Sequence, residues 1–83
     1  MNNQLQGISK ILSELYDKLN SVTARLNKVE SDIKEYMTKN GITMQSLFEM
    51  RDKPFELCQL METQMMLMNL RSSIEKEIGI IES

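Results

Sequence analysis

The sequence predicts an all-α protein: an elongated helical hairpin with a heptad coiled-coil first helix, a short middle helix and a Met-rich second helix. Three observations predict it. Apolar residues from Leu5 to Tyr36 recur at gaps of three and four without a break. Asn40-Gly41 and Asp52-Lys53-Pro54 then interrupt the chain twice. From Pro54 to Glu82 the apolar spacing is helical again. The 83 residues form a single domain, with helices expected over about 4–39, 44–50 and 54–82.

The first helix is defined by its seam. Leu5, Ile8, Leu12, Leu15, Leu19, Val22, Leu26, Val29, Ile33 and Tyr36 fill the a and d positions of a heptad that starts with Leu5 at a. A straight helix drifts by about 20° per heptad against a 3.5-residue repeat, so a seam this regular needs a partner helix wound left-handedly around it. Leu12, Leu15, Leu19, Val22, Leu26, Val29 and Ile33 are the predicted hairpin or coiled-coil contact. Asn2 or Asn3 is placed to cap the start of the helix. The e positions are Ser9, Tyr16, Thr23 and Glu30, and the g positions Ile11, Lys18, Arg25 and Asp32. Only Arg25 and Glu30 would attract each other in a parallel dimer. Charge therefore specifies a parallel homodimer weakly, which favours the chain's own second helix, or several neighbours, as the partner of the seam.

Gly41 suits the left-handed residue that closes a helix C-terminus. Thr43 can cap a short helix, on which Leu47, Phe48 and Met50 are expected to plug one end of the hairpin. Pro54 fits the first position of the last helix, where its missing amide costs nothing. That helix shows no clean heptad. One apolar face comprises Leu60, Leu67, Leu70, Ile74, Ile78 and Ile81; the other comprises Leu57, Cys58, Met61, Met65 and Met68. The expectation is that the first packs on the N-terminal helix and the second meets a subunit or partner protein. Methionine serves both ordinary core filling and adaptable surfaces, so core packing is the competing account of this cluster. Cys58, with no basic neighbour in sequence, reads as a small hydrophobe, or as a cross-linking point if that face joins copies.

Composition excludes several functions. Residues 1–39 carry six Lys/Arg against five Asp/Glu, and residues 40–83 four against seven, so no basic face marks a nucleic-acid site. Two Phe, two Tyr and no Trp give no stacking platform for single strands. No run of 18 apolar residues spans a membrane, and no basic-then-apolar stretch suggests a signal peptide. With no His and one Cys, no metal site, catalytic pair or internal disulfide is expected, and no cofactor. The prediction is a non-enzyme that touches other proteins.

Pro54, Gln59, the run Ser72-Ser73-Ile74-Glu75-Lys76, and Ile78 with Ile81 resemble the last helix of type III secretion needle and inner-rod subunits. The resemblance covers residues 54–83. It implies a short helical hairpin that stacks with copies of itself into a hollow tube, the C-terminal helix towards the channel. It also implies handling by a secretion chaperone, and passage from the cytoplasm to the cell surface or exterior without a cleaved signal. Many needle subunits carry a Trp-containing N-terminal motif and often two prolines in the turn. This chain has no Trp and one Pro, and adds the Thr43–Arg51 segment. A small cytosolic coiled-coil chaperone or adaptor, or a plain coiled-coil homodimer, is the alternative.

Overall fold

The computed structural model describes residues 2–83, with side chains from Gly7 onwards. Three helices follow in order: α1 (Asn2–Lys39), α2 (Met44–Glu49) and α3 (Phe55–Glu82). No strand occurs among the described residues. α1 and α3 pack side by side as a hairpin, and α2 lies in the connection. The molecule is a rod of 60 × 18 × 17 Å. Its radius of gyration of 18.0 Å exceeds the roughly 12 Å of a compact domain this long. A cap from Asn2 or Asn3 and the seam place of Leu5 concern side chains outside the described residues.

The α1 seam closes within the chain. Leu15, Val22 and Leu26 are buried in one cluster with Leu67, Ile74 and Ile78 of α3, and Leu12, Leu19 and Val29 pack against it. A second cluster at the closed end joins Met37, Leu47 and Leu57, with Ile33, Tyr36, Ile42, Met50 and Met61 packed around them. Fully burying a Leu such as Leu26 or Leu67 is worth about 1.5–3 kcal/mol each, and these two clusters are the core.

α3 is more regular than its sequence suggests. Leu57, Leu60, Gln64, Leu67, Arg71, Ile74, Ile78 and Ile81 follow each other at alternating gaps of three and four. All but the terminal Ile81 are buried or half-buried. The lack of a clean heptad in the sequence has its reason here: Gln64 and Arg71 occupy two seam positions and hide the repeat. Leu57, expected on the partner face, is 0% exposed inside the closed-end cluster. Leu70, expected on the inward face, is exposed, because it sits one residue short of the Arg71 seam position.

The turns follow local chemistry. Gly41 has φ +67, the left-handed conformation that a Cβ disfavours. The Ile42 amide donates to the Met37 carbonyl at 2.8 Å and the Gly41 amide to the Thr38 carbonyl at 3.3 Å, the paired bonds of a Schellman cap. Ile42 and Met37 share the closed-end cluster, completing the apolar contact that accompanies this cap. Thr43 starts α2 with a capping box: its Oγ1 accepts from the Ser46 amide at 3.1 Å, and the Thr43 amide donates to Ser46 Oγ at 2.8 Å. Of the residues expected to plug the hairpin end, Leu47 is buried and Met50 half-buried. Phe48 is instead 83% exposed, since a helix of six residues can turn only one narrow face inward. Pro54 sits one place earlier than expected. Its ψ of 143 makes it the N-cap, and its carbonyl accepts the first α3 bond, from the Cys58 amide at 2.9 Å.

Candidate protein-contact surfaces

Two helices crossing along one seam leave both flanks of each helix in solvent, so apolar residues beside the seam stay uncovered. On α3, at 3.6 residues per turn, Met65 and Met68 flank the seam on one side and Met66 and Leu70 on the other. All four are exposed. Met61, one turn before Met65, is half-buried against the closed-end cluster. Cys58 is a half-buried free thiol whose Sγ lies 3.8 Å from the Lys53 carbonyl oxygen. The predicted five-residue partner face thus divides. Leu57 is internal, Met61 and Cys58 are half-buried, and Met65 and Met68 are available to another molecule.

Other exposed apolar groups lie outside the expected partner face, and three of them, Phe48, Ile8 and Ile81, were expected inside the hairpin. Met44, Phe48 and Phe55 lie around the closed end, while Ile8, Ile11, Ile80 and Ile81 lie around the open end. Spacing could have revealed Met66 and Leu70, which sit four apart, once Leu67 and Arg71 were recognised as the seam. Nothing periodic marks Phe48 or Phe55, each near the end of a helix. A groove of about 430 Å³ runs beside the seam between Lys18, Ser21 and Val22 of α1 and Leu70, Ser73 and Glu77 of α3.

Among the described residues no polar or charged side chain is buried. The Tyr16 hydroxyl donates to both carboxylate oxygens of Glu82 at 3.0 Å, tying α1 to the end of α3. The hydrogen bond to Glu82, partial loss of water and the carboxylate's charge, in that order, raise the Tyr16 pKa above 10.0. The ion pairs found among the described residues, Lys28–Asp32 at 3.7 Å and Arg71–Glu75 at 3.6 Å, each lie within one helix. Exposed pairs of this kind contribute at most about 0.5 kcal/mol. Among the described residues no group of three or more His, Cys, Asp or Glu could hold a metal ion. No described helix is long and apolar enough to cross a membrane.

No protein-family model, curated protein or solved structure matches this chain.

Proposed function

We propose that this chain is a structural subunit that assembles with copies of itself through the apolar flanks of α3, and more narrowly that it builds a type III secretion needle or inner rod. One observation carries the proposal: consecutive turns of α3 expose Met65, Met66, Met68 and Leu70 on both sides of a seam that α1 already fills. Among the described residues the one remaining helix, α2, has six residues and is too short to cover them. The flanks differ from each other in sequence, so contact between them is head-to-tail, and head-to-tail contacts that do not close give helical filaments. The hairpin shape, the Pro54 entry to α3 and the resemblance over residues 54–83 support the narrower form. That form includes export without a cleaved signal peptide and a protein chaperone beforehand.

Sedimentation across a concentration series, with electron microscopy of the heaviest species, tests the proposal. Large, concentration-dependent oligomers or filaments are expected. Met65→Glu with Met68→Glu should shift the series to small species, because both side chains are exposed in the lone hairpin and their loss leaves its core intact. A species that never grows beyond a dimer at high concentration removes the rod.

The groove between Lys18 and Ser73 favours one second function, an adaptor that receives a partner's amphipathic helix. It predicts recovery of one stoichiometric protein partner in place of filaments.

A further inference from the structure

α3 stops short of the start of α1. Glu82, the last residue of α3, is bonded to Tyr16, so none of the described helices lies opposite the part of α1 before about Leu12. The heptad repeat nevertheless continues there. Ile8 holds the same d position as Leu15 and Val22, which are 7% and 6% exposed, yet Ile8 is 46% exposed. Next to it, Ile11, Ile80 and Ile81 line a groove of about 340 Å³ that runs into the core at Leu15. The uncovered surface is therefore a continuation of the interface that α3 already occupies.

We infer that this open end pairs two copies of the chain end to end and antiparallel, the projecting α1 of each lying where the α3 of the other leaves off. Only a helix with apolar residues at gaps of three and four extends such a seam in the same left-handed winding. The projecting α1 is itself such a helix, and antiparallel placement gives it the direction of the α3 it continues. Residues 2–13 carry a single charge, Lys10, at the outward f position, so two copies meet without like charges facing across the seam. The contact is the same patch on both molecules and closes on itself. About ten residues of helix give roughly 15 Å of contact. That places the pair among small, concentration-dependent interfaces. The pairing uses the opposite end of α3 from the Met residues and does not depend on rod assembly.

Sedimentation of the full chain tests the pairing in three forms. Met65→Glu with Met68→Glu should still form a dimer, whatever happens to larger species. Ile8→Glu with Ile11→Glu should raise the dimer dissociation constant at least tenfold. Both isoleucines are exposed in the lone hairpin, and Glu is at least as good a helix former as Ile, so unchanged helical content by circular dichroism is expected. Ile80→Ser, on the other helix, should reproduce the loss. The pairing is overturned if the Ile8/Ile11 variant associates like the parent chain, or if the Met65/Met68 variant is monomeric throughout. A dimer that Ile8/Ile11 abolishes, without any larger species, supports the pairing while removing the rod.

Discussion

Tyr16 and Glu82 are neighbours only because the chain folds back on itself, and they are the one side-chain hydrogen-bonded link between α1 and α3 among the described residues. The carboxylate accepts from the neutral phenol and would repel the phenolate, so folding holds the Tyr16 pKa above 10.0. The stabilisation from this link is thus complete below the unfolded tyrosine value of about 10. It fades as pH rises through the higher folded value. Absorbance titration should show Tyr16 ionising above the ordinary range, and Glu82→Ala should bring that transition down. A titration unchanged by Glu82→Ala would mean that the open end is not latched in solution. Leu57 is buried by its position along the hairpin. It shares a sequence stripe with Cys58, Met61, Met65 and Met68, but it falls opposite the turn, where Met37 and Leu47 close over it.

Each helix carries one seam, and the two seams differ in how openly they are written. α1 was legible because every a and d place from Leu5 to Ile33 is Leu, Ile or Val, leaving one consistent periodicity. α3 was not, because Gln64 and Arg71 sit at seam positions and Leu70 beside them offers a false alternative. The half-buried Gln64 and Arg71 bury carbon without filling the core as Leu does. Gln64→Leu should therefore stabilise the hairpin by about 1 kcal/mol through added apolar burial. Arg71→Leu should do the same, because the Glu75 pair it sacrifices is exposed and worth little. Urea unfolding checks both; a loss of stability in either would mean that these side chains hold the two helices in register by polar contacts. The turn was legible for the opposite reason. Gly41 acts through its backbone and Thr43 through a side-chain cap three residues away, so neither needs a distant partner to be read. Among the candidate contact residues, Met65 and Met68 were legible as a flank of α3. Phe48 was not, since a helix of six residues has too few turns to show a period.

The rod has a core one seam wide. Among the described residues nine hydrophobic side chains are buried while twelve large ones are exposed. A chain so slender removes less surface from water than a compact domain of equal length, and its intrinsic stability is correspondingly small. Assembly would add to it by mass action, since contacts made only by the folded chain shift unfolding to higher temperature as concentration rises. Each tenfold increase in concentration contributes about 1.4 kcal/mol per mole of contact formed. For a domain of this size each kcal/mol moves the midpoint by roughly 4–8 °C. The thermal midpoint of the full chain should therefore climb by several degrees across a hundredfold concentration series. Met65→Glu with Met68→Glu should flatten that climb, and Ile8→Glu with Ile11→Glu should flatten it separately, because the two pairs occupy different parts of the rod. A midpoint independent of concentration would show that the exposed apolar residues meet no copy of the chain, and would turn the search towards a different protein as their partner.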